Sequence, residues 1–232
     1  VRLNYETSML RSPGELSFDL SMLNIADGSS RLSPALVNFG RDVAEEFLSG
    51  WGEQEETIQN GAAIAMINVD TLERVPLHTE MNQANREWPD YDGLHPLIIR
   101  PMAPLDFSGR YAVVLTNELT DSAGNPLPRS AAFDALRDGT VTTDERVESL
   151  REDYEGLFAR LDEAGWSKDS LLLSWEFQVA SEDFVLGPAR SVRDQVLTTD
   201  PETIDFTITN IETDPNEHLA YLVKGTFSPP SF

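Results

Sequence analysis

The sequence predicts an α+β fold that is mainly β. About eight segments show the apolar alternation or the short apolar runs of strands, and about four show the three-to-four spacing of helices. Strands and helices do not alternate strictly along the chain, which argues against a doubly wound parallel sheet. We therefore expect hairpins and short connections, with helices added at separate points of the chain.

Four segments define the first third of the chain. Residues 16–23, LSFDLSML, alternate apolar and polar side chains and predict a half-buried strand. Residues 41–48 have the apolar spacing of a short helix. Residues 62–69, AAIAMINV, predict a buried strand, and residues 74–81 predict a hairpin arm that pairs back to it. Pro76 inside that arm indicates an edge position, because proline cannot donate to a ladder.

The middle of the chain contains the clearest strand. Residues 97–101 and 110–117 both predict strands, and the second is apolar on both faces, so we expect it to be central in its sheet. Residues 121–126, DSAGNP, predict a tight turn, since Asp accepts local amides, Gly allows positive φ and Pro blocks continuation. Ser130 then predicts the N-cap of a short helix over 131–138.

The last third predicts two helices, a strand and a hairpin. Residues 144–164 carry one apolar stripe at helical spacing and predict a single long helix. Residues 170–181 predict a strand, and residues 188–197 a second helix. Residues 204–211 and 219–227 predict a closing hairpin.

Composition excludes several classes of function. The chain has 40 acidic and 17 basic residues, a net charge of -23. This charge argues against nucleic-acid partners, which require clustered Lys and Arg, and against anionic membrane surfaces. It favours a solvated, self-repelling surface, with a saline habitat or divalent-cation binding as the alternative. No run approaches the roughly 20 apolar residues of a membrane helix, so no membrane insertion is expected. The chain has no Cys, which excludes disulfides and thiol catalysis.

No catalytic motif stands out in the sequence. It has no Gly-x-Ser-x-Gly elbow, no His-Glu-x-x-His and no phosphate-binding glycine loop. The only candidate imidazole bases are His78, His95 and His218, and isolated histidines on edge strands and turns are more typical of surface or core positions than of catalysis. We therefore predict no catalytic residue and no organic cofactor.

One acidic loop is a candidate cation site. In EWPDYDGLHP, residues 87–96, Asp90 and Asp92 are two apart, Gly93 permits a sharp turn and His95 follows. Two such carboxylates can converge on a hard cation, so Asp90 and Asp92 are the predicted metal ligands and Ca²⁺ the candidate ion. The alternative is a solvated loop whose Asp and Gly residues simply form turns. A weaker oxygen cluster of the same kind is Asp121 with Asn125.

Several stretches together resemble a known family. YAVVLTNELTDSAGNPL, residues 111–127, resembles the strand and turn of bacterial Ig-like domains of the S-layer type. In their order, INVDTLERVPLHTEMN, LFARLDEAGW, LLLSWEFQVASEDF and YLVKGTFSPPSF resemble the N-terminal region of secreted bacterial proteins that carry an α/β-hydrolase, often lipase-like, domain. The resemblance covers about residues 62–232.

The resemblance implies an Ig-like β-sandwich elaborated with helices, in an extracellular or cell-surface protein. Residues 1–232 would form one accessory domain, or divide into an Ig-like β part over 1–140 and a helix–strand–helix–hairpin part over 141–232. Residues 228–232 would link to a downstream catalytic domain of the same chain, which is the expected partner. An apolar docking patch is expected near the closing hairpin and these linker residues.

Three functions remain open at this point. The first is a non-catalytic module that braces the catalytic domain or binds a surface or polymer. The second is a self-contained, metal-assisted hydrolase that uses Asp90, Asp92 and His95. The third is a Ca²⁺-binding adhesion module. The oligomeric state is not determined by the sequence.

Overall fold

A computed structural model describes residues 19–83, 95–200, 202 and 204–228. The chain forms two compact units, Val1–Ser181 (unit 1) and Glu182–Phe232 (unit 2). The sequence predicts one domain over residues 1–232, with a possible division after residue 140. The structure is 29% helical and 31% strand, with three small antiparallel sheets. The α+β class is thus confirmed, but helix and strand are so nearly equal that a mainly β fold is not.

Unit 1 contains two three-stranded sheets. The first has the strand order β1-β4-β3 and the second β2-β5-β6, and all neighbours are antiparallel. The strands are β1 Ala35–Val37, β2 Ile64–Asn68, β3 Leu77–Met81, β4 Leu97–Pro101, β5 Arg110–Thr116 and β6 Leu171–Gln178.

Strand β5 is central, as predicted, and its two faces belong to two different cores. Tyr111, Val113 and Leu115 pack with buried side chains of the β1-β4-β3 sheet, so one core lies between the two sheets. Ala112 and Val114 point the other way and pack with the helices of unit 1. Because successive side chains of a strand alternate between faces, one apolar strand holds both layers together.

Three helices form the layer on the second face of the β2-β5-β6 sheet; two of them contact the sheet and the short middle one packs on its two neighbours. They are α1 Ala131–Asp138, α2 Glu145–Ser149 and α3 Arg151–Glu163. Ser130 caps α1 as predicted, its hydroxyl accepting the Phe133 N–H. Leu157, Phe158 and Leu161 of α3 pack on the sheet. This helical layer distinguishes unit 1 from a plain two-sheet sandwich, and the Ig-like arrangement is not confirmed.

The predicted hairpin over residues 62–81 is only partly formed. Arg74 bridges Ile67 and the Val75 N–H donates to the Met66 C=O at 2.9 Å, so the return arm begins as expected. The chain then leaves at Pro76, and β3 pairs with β4 in the other sheet. The predicted edge position is confirmed, because β3 is the last strand of its sheet.

Three other predicted elements differ in the structure. Of the predicted strand over 16–23, residues 16–18 lie outside the described residues, and Leu20–Met22 form a 3-10 turn capped by Asp19. The predicted helix over 41–48 is a 3-10 turn over Glu45–Phe47. The predicted helix over 144–164 divides at Leu150, whose φ of −91° and ψ of −5° differ by more than 20° from those of a regular α-helix.

Unit 2 consists of one helix and one hairpin in its described residues. Helix α4 spans Glu182–Thr198, which includes the predicted helix. Strands β7 Phe206–Asn216 and β8 Leu219–Phe227 form the predicted closing hairpin. The described residues of unit 1 and unit 2 together hold eight strands and four α-helices; the sequence did not predict β1, and α2 and α3 replace one predicted helix.

Two glycines of unit 1 give opposite predictions for substitution by alanine. A Cβ at Gly28 would lie 2.5 Å from the Ala180 nitrogen and from the Val179 carbonyl carbon, whereas at Gly156, inside α3, it would meet nothing within 4 Å. Gly28→Ala should lower the free energy of unfolding by about 1–3 kcal/mol through overpacking. Gly156→Ala should raise it by about 0.5–1 kcal/mol. Urea unfolding measures both, and equal signs would contradict this packing.

A second prediction concerns the junction of α2 and α3. Hydrogen bonds from Arg151, and then from the Thr142 N–H, lower the pKa of the Glu148 carboxyl from 4.5 to about 2. A carboxyl whose pKa is lower in the folded state stabilises the fold above its unfolded pKa, and this contribution disappears as the pH falls through the folded pKa.

The expected result is a pH-dependent effect of Glu148→Gln. The melting temperature of this variant should lie furthest below that of the wild type at neutral pH, and the gap should close as the pH falls from 4.5 towards 2. Thermal melts across this range measure it, with Glu145→Gln on the same helix as the control. A gap that is constant with pH would show that the Glu148 charge does not stabilise this junction.

Candidate docking surface

The hairpin of unit 2 has one apolar and one polar face. The register pairs Phe206 with Phe227, Ile211 with Val223, and Thr213 with Tyr221. Because the side chains of paired residues point to the same side of a sheet, the aromatic and aliphatic residues share one face. We call this surface the apolar face: Phe206, Ile208, Ile211, Tyr221, Val223 and Phe227.

The opposite face is largely polar. It holds Thr207, Asn210, Glu212 and Thr226, and the Lys224 ammonium lies 3.1 Å from the Glu212 Oε1 across the strands. The charges of the hairpin are on this face or at its turn. The apolar face itself carries no charged side chain.

The apolar face is exposed along its whole length. Its six side chains are 50–68% exposed. Together they present on the order of 700 Å², close to the ~800 Å² that each partner contributes to a standard protein interface. Soluble monomers rarely expose contiguous apolar patches of this size without a function. The expected docking patch near the closing hairpin therefore coincides with an exposed apolar surface; of its predicted linker, residues 229–232 lie outside the described residues.

Helix α4 adds exposed apolar side chains to unit 2. Val185, Val192 and Val196 are 44–47% exposed, and none of the residues of α4 is buried. Arg190 pairs with Glu182 and Arg193 with Asp194, as expected for basic residues in an acidic chain. The two described elements of unit 2 thus expose apolar side chains that most folded domains bury.

A beta bulge explains why the apolar face is hard to recognise in the sequence. Thr209 is an extra residue in β7, since Ile208 pairs with Gly225 while Asn210 pairs with the next residue, Lys224. The apolar positions of β7 therefore read 206, 208 and then 211, which breaks strict alternation. Two signals in the sequence could have revealed the apolar face. The spacing of apolar residues in β7 changes from two to three residues after Ile208, and β8 alternates regularly.

The predicted cation site is described by the structure only at His95, the residue that follows its two ligands in the sequence. Asp90 and Asp92 lie outside the described residues, so calcium binding there stays a prediction. His95 is described, and its Nδ1 lies 3.1 Å from the Asp42 Oδ1. Within 19–83, 95–200, 202 and 204–228, no group of three acidic or histidine side chains is arranged to hold a metal ion.

The other sequence candidates occupy structural positions. Asp121 accepts the backbone N–H groups of Ala123 and Asn125, which lower the pKa of its carboxyl, Asn125 contributing most. This is the predicted turn. His78 is buried on the edge strand β3 and its ring stacks on Trp51 at 4.8 Å. His218 lies in the hairpin turn, as predicted, and its side chain is 83% exposed.

Unit 1 also has an open cleft lined by acids. Its volume is about 820 Å³, and it lies between the chain around residues 42–56 and the end of β3. Its carboxylates are Asp42, Glu45, Glu46, Glu53, Glu56 and Glu80. A cleft lined with charge of one sign repels ligands of that sign, so anionic substrates are disfavoured here.

Comparison with known proteins adds no family to this description. The comparison with protein-family models finds no matching family, and the comparison with curated proteins finds no match either. Among the described helices, none is both long enough and apolar enough to cross a membrane.

The exposed apolar face predicts binding of a hydrophobic dye to the folded protein. The uncharged dye Nile red is suitable, because the net charge of -23 repels anionic dyes. Its fluorescence should rise with the wild type, and Tyr221→Ser or Phe227→Ser should reduce this signal. Thr226→Ser, on the polar face, is the control and should leave the signal unchanged. Equal fluorescence for all four proteins would show that the dye does not report on this face.

Proposed function

We propose that this chain is a non-catalytic module of an exported bacterial hydrolase-like protein. In this proposal its Ig-like part belongs to the extracellular or cell-surface region of that protein. The module docks through the apolar face of the unit 2 hairpin onto the catalytic domain that follows in the same polypeptide. The single observation that carries the proposal is an uncharged apolar surface of interface size on a hairpin of the native fold.

The contrast between the two units supports a docking role. Unit 1 has two well-filled cores that share β5. The hairpin of unit 2 has no buried residue in either strand. A two-stranded hairpin is marginally stable alone in water, and it needs further strands or a packing partner. Docking on a neighbouring domain would supply that partner and would remove the apolar face from water.

Covalent connection makes such docking effective with a modest interface. For a domain joined by a short linker, the effective concentration of the hairpin is in the millimolar range. Weak contacts are then enough to keep the two docked. The chemistry expected of the partner surface is apolar and without acidic residues, because the hairpin has Asp214 and Glu217 around its turn. The module would brace the catalytic domain or shape access to its site.

The test uses the coding sequence beyond Phe232. The segment that it encodes is produced as a separate protein, and its affinity for this chain is measured by calorimetry. Tyr221→Ser should weaken binding ten-fold or more, because truncation of an aromatic side chain that anchors an interface costs about 2 kcal/mol. Thr226→Ser should bind like the wild type. A coding sequence that ends at Phe232, or a following domain that ignores the Tyr221 change, would contradict the proposal.

The same proteins separate the proposal from a self-contained hydrolase. Ester substrates are offered to the 232-residue chain alone, with and without Ca²⁺. The proposal expects no turnover above that of the Asp92→Asn variant. Reproducible turnover that is lost in Asp92→Asn would favour an active site formed by Asp90, Asp92 and His95.

A further inference from the structure

Strand β8 has a regular edge, whereas β7 does not. Both register shifts of the hairpin place the extra residue in β7: Thr209 in the first, and one residue of the Asp214–Pro215 pair in the second. Bulges and prolines are the devices that protect edge strands from further pairing. Strand β8 runs for nine residues without a bulge or a proline, and its only charged residue is Lys224.

The hydrogen-bonding groups of β8 divide between its two edges. The Ser228 N–H donates to the Asp205 C=O at 2.9 Å, and the Lys224 C=O accepts from the Thr209 hydroxyl, so the even-numbered residues direct their backbone groups to β7. The odd-numbered residues from Tyr221 to Phe227 therefore direct theirs to the opposite edge, whereas Leu219 is bonded to Asn216 across the two-residue turn. Among the residues that the structure describes, β8 pairs with β7 alone.

The geometry points to a second copy of this chain as the occupant of that edge. We propose that two chains pair antiparallel through β8, with Val223 opposite Val223 of the other copy. This register places Tyr221 opposite Gly225, so residues 221–225 of the two copies form the paired segment. Each of these facing residues is odd-numbered, and each therefore presents its N–H and C=O to the partner strand.

The side chains agree with this register. Tyr221 faces Gly225, so a bulky ring lies beside a residue without a side chain, the pairing that compensates a strand glycine. Gly225 cannot easily be larger, because a Cβ there would lie 2.4 Å from the Thr207 oxygen of β7. Lys224 faces Leu222 of the other copy, so no like charges are opposed across the new pair.

The pairing supplies what the isolated hairpin lacks. Two hairpins become one four-stranded sheet, and three or more strands are needed for independent stability. Because residues 219, 221, 223, 225 and 227 share one side, both apolar faces lie on the same side of that sheet. The contact uses the edge of β8, so it is separate from docking through the apolar face and does not depend on it.

The net charge sets the salt dependence of this association. Each copy carries -23, and like charges of that size oppose the approach of two chains. Salt screens this repulsion, with a Debye length of about 3 Å near 1 M. Dimer formation should therefore increase with ionic strength, opposite to an association held by ion pairs.

Single cysteines test the register directly, because the native chain has none. In the proposed pair the two Val223 Cα atoms lie about 5.5 Å apart, within the range of a disulfide. Ile211 is the matched control, since it is the cross-strand neighbour of Val223 on the same face and equally exposed, 55% against 53%. Its two copies would be three strand spacings apart, about 14 Å, too far to bond.

The measurement is the rate of disulfide-linked dimer formation under mild oxidation, at low and high salt. Val223→Cys should cross-link at least ten-fold faster than Ile211→Cys, and its advantage should grow with salt. Equal rates, or a faster Ile211→Cys, would overturn the proposal, because collision or face-to-face packing would then explain the contact. Failure of Val223→Cys to cross-link would overturn it as well.

A proline variant provides a second measurement on the uncross-linked protein. Val223→Pro removes an N–H that points to the open edge and leaves the bonds to β7 in place, whereas Val223→Ala shortens the side chain and keeps the N–H. Sedimentation should show the wild type and Val223→Ala as salt-promoted dimers and Val223→Pro as a monomer. Dimers of Val223→Pro, or a monomeric wild type at high salt, would contradict pairing through β8.

Discussion

The structure of unit 1 depends on a single strand that must satisfy two cores. Strand β5 lies between β2 and β6, and its side chains enter the inter-sheet core on one face and the helical layer on the other. A substitution on one face of β5 that shifts its backbone also disturbs the packing on the other face, because protein interiors are packed at crystal-like density. The helices and the first sheet are both positioned by this strand, which explains why unit 1 folds around it.

Unit 2 lacks an equivalent constraint. Its hairpin has backbone pairing between two strands and an apolar face, yet no described layer of the unit covers that face. The hairpin of unit 2 therefore lacks the hydrophobic stabilisation that unit 1 has, and it gains this stabilisation only when a partner covers its apolar face. An uncovered face suits docking of another domain, and a regular edge suits addition of a strand. These two surfaces are physically distinct, so one hairpin can take part in both contacts.

Local signals made part of this structure predictable. Residues 110–117 predict a central strand because apolar side chains occupy both of its faces. Two apolar runs on either side of a turn predict the closing hairpin. Long-range contacts decided the rest. At the break at Leu150, the Arg151 guanidinium donates a hydrogen bond to the Ala135 carbonyl. A contact between residues this far apart in sequence cannot be predicted from local patterns. The apolar face was not predicted from the sequence, because the bulge at Thr209 interrupts the apolar–polar alternation of β7.

Amide hydrogen exchange tests the central claim most directly, since it reports the stability of each element separately. On the dilute chain at low salt, the amides of β5 should exchange slowest, through global unfolding of unit 1. The amides of β7 and β8 should exchange by local opening, orders of magnitude faster, and should gain protection only when the chain associates. Hairpin amides as protected as those of β5 in the dilute chain would contradict the account, because the hairpin would then be stable without a partner.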